Sequence, residues 1–273
     1  MARLEGIRLY PVKGLAGADV DAATVLDSGV LAGDREFALF DAMAVAEADP
    51  GEIENGSPHA NGVFNAKHSE RFHELDSEYD PETATLRVET ADGERDSFDL
   101  DADRETAAAW FSAFFDRDLV LLRDTDRSFV DRRGAGPSVV STATLEAVAS
   151  WFEGMSVENA RRRLRANVEI SGVPAFWEDQ FVGDDAPAFE AGDVRFEGVT
   201  PCVRCVVPER DPETGEPTPE FRKRFVEKRE ATFPEFADRD AFEQFYTLML
   251  IADVPEEYRE QSIRVGDPVS VVD

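Results

Sequence analysis

V-T-P-C-V-R-C-V-V-P-E-R-D-P-E-T-G, residues 199 to 215, holds both cysteines of the chain, Cys202 and Cys205, three positions apart with Arg204 between them. A thiolate is the softest ligand and the strongest nucleophile among side chains. A chain whose whole cysteine complement sits at one point concentrates its chemistry there. The alternative is that both are small buried hydrophobes, as free cysteines often are. Outward from this stretch the pattern is one of short strands. Residues 193 to 199 read as a strand running straight into the pair. Thr218-Pro219-Glu220 announces a helix to Glu230, with a cap and a first-turn proline. Residues 242 to 251 and 263 to 272 read as closing strands.

Upstream, L-R-A-N-V-E-I-S-G (164–172) alternates. Leu164, Ala166, Val168 and Ile170 fall on one face of a strand, and Arg165, Asn167 and Glu169 on the other. An arginine and an amide two apart on one strand face could serve one polar ligand, or that face could simply be solvated. Two helices are expected before it, over 142–152 and after a Ser156 cap, with Arg161, Arg162 and Arg163 in the last turn of the second, where the helix dipole suits them. Residues 131 to 138 form a glycine-rich turn carrying Arg132 and Arg133. Residues 174 to 181 form an aromatic loop.

The N-terminal half opens on a strand (4–10) that ends at Pro11. A loop follows in which Gly14 and Gly17 allow close backbone approach and Lys13 carries a charge. A strand is expected over 18–26, and another over 35–40 headed by Arg35, which needs a carboxylate or phosphate partner. Residues 42 to 62 read as a loop that, with Lys67, lines the mouth of the site. A hairpin spans 83–89 and 96–100, and Asp103 starts a helix with an aromatic face. Leu119 to Leu122 is a short buried strand. The expected fold class is mainly β with α (α+β), in two β-barrel-like modules over residues 1–125 and 126–273.

With 273 residues, 42% of them hydrophobic and 20 of them Phe, there is ample material for such cores. Twenty-nine basic against 58 acidic residues give a net charge of −29, which repels nucleic acid and anionic lipid. The acids are spread from Glu5 to Asp273 instead of forming one block. That distribution suits a halophilic, high-salt cytoplasm, where a Debye length of about 3 Å at 1 M salt screens the self-repulsion. No run of about 18 apolar residues occurs, and the first segment is interrupted by charges, so neither a membrane span nor a secretory signal is expected. His59, His68 and His73 are too far from the cysteines for zinc-finger spacing, and an iron–sulfur cluster lacks ligands.

Taken together, Y-P-V-K-G-L-A-G (10–17), G-V-L-A-G-D-R-E-F (29–37), L-R-A-N-V-E-I-S-G, P-C-V-R-C (201–205), D-P-E-T-G (211–215) and I-R-V-G-D-P-V (263–269) resemble the MOSC family. That domain is shared by molybdenum cofactor sulfurases and the mitochondrial amidoxime-reducing component. The resemblance covers nearly the whole chain and implies a site for the molybdenum cofactor, a molybdenum-bearing pterin. It implies Cys205 as metal ligand, Val203 and Arg204 beside the cofactor, and Lys13, Arg35, Arg165 and Asn167 on the pterin or its phosphate. Amidoxime-reducing members often have Ser where this chain has Gly14, so a contact there is lost or passes to the backbone. The implied activity is reduction of a small N-hydroxylated or N-oxide compound, with electrons from an external donor such as a ferredoxin. Two alternatives stand beside it: a cofactor or sulfur carrier acting through a persulfide on Cys205, and a structural C-x-x-C protein.

Overall fold

The computed structural model describes residues 1–47, 62–131 and 136–272. In chain order the elements are β1 (Arg3–Leu9), β2 (Ala18–Val20), β3 (Ala22–Thr24), β4 (Phe37–Asp41), α1 (Ala42–Glu47), β5 (Val63–Phe64), β6 (Leu75–Asp80), β7 (Thr85–Thr90), β8 (Arg95–Asp99), α2 (Arg104–Phe115) and β9 (Leu119–Arg123). They continue with β10 (Ser138–Ser141), α3 (Thr142–Ser150), α4 (Val157–Leu164), β11 (Val168–Ser171), β12 (Ala188–Ala191), β13 (Val194–Val203), α5 (Phe221–Ala231), β14 (Thr247–Asp253), β15 (Ser262–Arg264) and β16 (Val269–Val272). The protein is mainly β with helices, as expected.

Eight strands form one sheet in the order β16-β12-β13-β14-β10-β11-β1-β2. The first strand of the chain therefore lies inside the sheet of the C-terminal half, paired antiparallel with β11 from Arg3↔Ser171 to Ile7↔Val168. The sheet curls until its far end meets β1 again: Leu4 N–H donates to Asp267 O at 2.9 Å, and Val269 N–H to Ala2 O at 3.1 Å. Its concave face buries Leu4, Ile7, Val139, Ile170, Phe189 and Phe196, among others, as one core. A second core belongs to the N-terminal half. There β4, β5 and β9 form one small sheet and β6, β7 and β8 another. Phe111 and Phe115 of α2 pack between Phe37, Phe64, Phe72 and Leu121. The aromatic stripe of α2 thus faces a core, while Trp110 satisfies its indole N–H on Asp96 Oδ2 at 2.7 Å. Asp116, in the left-handed region at φ 50°, ends the helix.

Several local expectations are corrected. The segment 18–26 divides into β2 and β3, which join different sheets. β4 begins at Phe37, because Arg35 sits in the left-handed region (φ 52°). α5 begins at Phe221 after Glu220 in a left-handed turn, so Thr218 is not its cap. The last two strand expectations shorten to β14, and to β15 and β16 with a turn between them. Ala42–Glu47 is helical; the rest of the expected 42–62 loop up to residue 61, the turn arginines Arg132 and Arg133, and His59 lie outside the described residues.

β13 carries Cys202 and ends two residues before Cys205, and its pairing with β14 slips twice, between Gly198 and Thr200 and between Pro201 and Val203. Such bulges twist a strand and redirect its side chains. Gly198 is fixed by packing, since a Cβ there would lie 1.7 Å from Phe181 O. Beneath this sheet, Arg229 is fully buried with Asp179 and Glu178. Its Nη2 donates to Asp179 Oδ2 at 2.5 Å. Glu178 Oε2 accepts from Ser141 N–H at 3.3 Å, and its Oε1 has no partner among the described residues.

Candidate functional site

A cleft of about 970 Å³ opens between the N-terminal loops and the cysteine end of β13. Its wall includes every site residue expected from the sequence: Lys13, Gly14, Arg35, Arg165, Asn167, Val203, Arg204 and Cys205. These come from four separate stretches of chain, so the fold brings together what the sequence keeps apart. They do not all stand free to meet a ligand.

Arg165 is the least compensated. It is the C-cap of α4, in the left-handed region at φ 58°, and its N–H caps Arg161 O. The expected strand over 164–172 is thus corrected: α4 runs through Leu164, β11 starts at Val168, and Arg165 and Asn167 do not share a strand face. The helix persists because Ser156 caps it, its Oγ accepting from Asn159 N–H at 3.0 Å. The Arg165 guanidinium lies 4.1 Å from the centre of the Tyr10 ring. It has no hydrogen-bonded or ion-paired carboxylate among the described residues. Burial pushes it down to about 10, with Arg35 adding repulsion and Tyr10, Asp34 and Cys205 opposing.

Arg35 covers the same ring at 5.1 Å. It is ion-paired with the buried Asp34, whose Oδ1 also accepts from Tyr10 N–H at 2.9 Å. Burial lowers the Arg35 guanidinium, but Asp34 chiefly, then Tyr10 and Asp131, outweigh it and leave it above the usual range. Two guanidiniums thus share one buried tyrosine, Arg35 with a carboxylate partner and Arg165 without one among the described residues. The tyrosine, from the Y-P-V-K motif, was not singled out from sequence, although the motif contains it.

Lys13 is buried and already partnered. Its Nζ donates to Phe129 O and to Asp131 Oδ1, each at 2.6 Å. Lys67 reaches the other oxygen of Asp131 at 2.9 Å. Burial lowers the Lys13 ammonium and Asp131 opposes it. The two N-terminal lysines thus converge on one carboxylate at the cleft wall, held well below its usual range by Lys13 and Lys67 against the effect of burial. Gly14, at φ 104°, has Phe72 Cε1 3.0 Å from where a Cβ would sit. A side chain here would need both an unfavourable backbone and a shift of that ring.

Asn167 is spent internally. Its Oδ1 accepts from Ser138 Oγ–H at 2.9 Å and from Ser138 N–H at 3.2 Å. Its Nδ2 donates to Arg8 O at 3.1 Å. The amide stitches β1, β10 and the lead-in to β11, and so positions Arg165 two residues before it.

At the cysteines, Arg204 Nη1 lies 3.1 Å from Cys202 Sγ, and Nη2 donates to Leu164 O at 2.9 Å. The arginine therefore faces Cys202 and the end of α4. Arg204 Nε is buried without a partner among the described residues. Cys205 O accepts from Tyr246 Oη–H at 3.3 Å, which pins the loop. Val203 is exposed (45%) at the rim. Both cysteines are free thiols, half-buried. No group of three or more His, Cys, Asp or Glu side chains among the described residues could hold a metal ion by itself. A metal on Cys205 would bring further ligands of its own.

The D-P-E-T-G stretch is architectural. Asp211 Oδ1 accepts from Glu213 N–H at 2.9 Å and Thr214 N–H at 3.2 Å. Its Oδ2 accepts from Arg163 Nη2 and Asn159 Nδ2, both at 3.0 Å. That fastens the turn to α4, one wall of the cleft. Arg163, expected to need only the helix dipole, is buried and takes Asp211, Asn159 and Pro208 O as partners.

Lys13, Arg35, Arg163, Arg165, Arg204 and Arg210 bring cations to the cleft wall of a chain of net charge −29, beside acids such as Asp34 and Asp131. No helix among the described residues is long and apolar enough to cross a membrane. Comparison with protein-family models finds the MOSC domain over residues 131–270 and the MOSC N-terminal beta barrel domain over residues 1–118. A search of curated proteins finds no match.

Proposed function

The chain belongs to the MOSC domain family, and on that premise we propose that the cleft holds the molybdenum cofactor for reduction of N-hydroxylated or N-oxide compounds. MOSC domains are associated with binding of that cofactor. The observation that carries the reading is the pair of guanidiniums, Arg165 and Arg35, on one tyrosine beside a free thiol, with Arg165 lacking a carboxylate partner. An anionic group with affinity for sulfur fits such a place, and the orphaned Arg204 Nε offers it a donor.

In this reading Cys205 is the protein's ligand to the metal. Arg165 and Arg35 hold the cofactor's phosphate or pterin, Arg204 fixes the loop that presents Cys205, and Lys13 orders the opposite wall through Asp131. Gly14 offers backbone where a side chain would intrude, and Asn167 acts by positioning Arg165. When bound, the cofactor supplies two-electron redox chemistry. Reducing an N-hydroxyl compound to the amine takes up two electrons and two protons and releases water. The electrons come from an external donor such as a ferredoxin, and the acidic surface suits work in a high-salt cytoplasm.

A second reading has one observation in its favour: Cys202, with Arg204 at 3.1 Å, gives the cleft a second supported thiol. That suits a sulfur carrier with a persulfide on Cys205. The deciding experiment measures molybdenum and pterin in anaerobically purified wild type and Cys205→Ser, with circular dichroism as the fold control, and assays amidoxime reduction with a chemical donor in high salt. Metal lost from a folded variant and turnover in the wild type support the reductase. Metal without turnover, together with a persulfide mass shift on Cys205, replaces it with the carrier.

A further inference from the structure

One ionisable side chain of the cleft wall has no part in the account above. His73 lies in the short 3-10 turn Glu70–Glu74. Its Cβ is 3.0 Å from where a Cβ on Gly215 would stand, so the glycine of D-P-E-T-G is what lets the two segments meet. Its ring forms part of the cleft wall. Its Nε2 is shielded from water and has no hydrogen-bond partner among the described residues. Leaving a buried polar atom unpaired is unfavourable, so the ring is poised for an acceptor. The charges facing His73 are Arg210, Arg165 and Arg163, opposed by Asp211; Arg210 is itself ion-paired with Glu70 and Arg163 with Asp211, and Arg71 and Glu74 share the histidine's turn. Burial first, then the three guanidiniums, holds the imidazole below its usual range.

We propose that His73 is a proton-linked anion contact of the cleft: its Nε2, unpartnered among the described residues, takes up a proton as an anionic group of the ligand settles against the ring and Arg165, and donates a hydrogen bond to that group. The proposal rests on the reading of the cleft as an anion site and adds to it a coupling to protons. A doubly charged group there cancels the repulsion from the arginines and supplies the acceptor that the ring lacks. Linkage is reciprocal, so a tenfold gain in anion affinity on protonation is a rise of about one unit in the His73 titration midpoint.

Sulfate is the appropriate probe, because it keeps both charges between about pH 5 and pH 8, the range in which a histidine titrates. The chain has three histidines, so the imidazole signals of the full-length protein can be assigned by NMR with His73→Asn and His73→Gln. The expected result is a His73 midpoint below the usual value in the free protein, moving up by about one unit or more at saturating sulfate. Wild type then binds sulfate about tenfold tighter at the acidic end of that range, and His73→Gln loses the difference. Sulfate that binds, with binding weakened by Arg165→Met, while the His73 midpoint stays put overturns the proposal and leaves the anion cleft standing. Absence of sulfate binding to the wild type overturns both. Because the wild-type titration decides the matter, the proposal does not depend on either histidine variant folding.

Discussion

Replacing Arg165 by methionine should stabilise the ligand-free protein while abolishing cofactor retention. The guanidinium is half-buried with no ion-paired carboxylate among the described residues, and its environment depresses it from its ordinary value by about 2.5 units, to about 10. At about 1.4 kcal/mol per unit, the charge costs the folded state about 3 kcal/mol. The sign is that of a depressed cation: the native state disfavours the proton, so the full cost is present at every pH below about 10 and disappears only above the unfolded value. Against it stands the contact with Tyr10 at 4.1 Å, worth about 0.5–2 kcal/mol for a partly desolvated pair. Methionine keeps the stem's apolar packing. The net expectation is a gain of about 1–2 kcal/mol, read as a higher urea midpoint at unchanged slope in potassium chloride near neutral pH. Pterin and molybdenum content of the same preparations is the second measurement. A variant less stable than wild type, or one that retains its cofactor, would refute the claim that Arg165 is held ready for an anion at the expense of stability.

Other substitutions test the frame around it. Asp131→Asn removes the charge shared by Lys13 and Lys67 and should cost about 1–2 kcal/mol in chemical denaturation, since Lys13 is buried but the carboxylate is half exposed. Glu178→Gln should flatten the pH dependence of stability. Burial and Asp179 raise the Glu178 carboxyl, so its contribution is complete below the ordinary carboxylate range and is lost as pH rises through the folded value. Wild type should therefore weaken by up to about 1.4 kcal/mol per pH unit from mildly acidic towards neutral pH, and equal slopes in the two proteins would count against the burial argument. Gly198→Ala should lower the melting temperature sharply or prevent folding, because its Cβ would overlap Phe181 O; a cost under about 1 kcal/mol would mean that β13 can move aside.

The expected α+β class and most strands could be read from the sequence because their patterns are local. The hairpin of β7 and β8 announces itself by Ala91-Asp92-Gly93, and α2 by its acidic start and apolar spacing. The site was legible as a set of residue types, since soft sulfur and scattered cations are visible in one dimension. Their connections were not. Alternation in L-R-A-N-V-E-I-S-G suggests a strand from Leu164, but a capped helix entering from Ser156 outlasts it and turns Arg165 into a left-handed cap. Arg204 stands beside both cysteines in sequence, yet its guanidinium is taken by Cys202 Sγ and Leu164 O. Asn167 looks like a ligand contact and is a structural stitch, because whether an amide is already satisfied depends on Ser138 and Arg8. His73 was weighed only as a metal ligand. Its neighbours Gly215, Arg163 and Arg210 are far off along the chain, and no spacing rule connects them.

The placement of β1 dictates an order of assembly. Apart from the short β2, this strand has no neighbour until Val168–Ser171 have left the ribosome, and the hydrogen bonds of Ala2 and Leu4 wait for residues near 267. A nascent chain must therefore carry this strand, with Leu4 and Ile7 not yet buried, past the midpoint of its synthesis. Lys13, which follows that strand, can reach Phe129 and Asp131 earlier, whereas Tyr10 must wait for Arg165 to cover its ring.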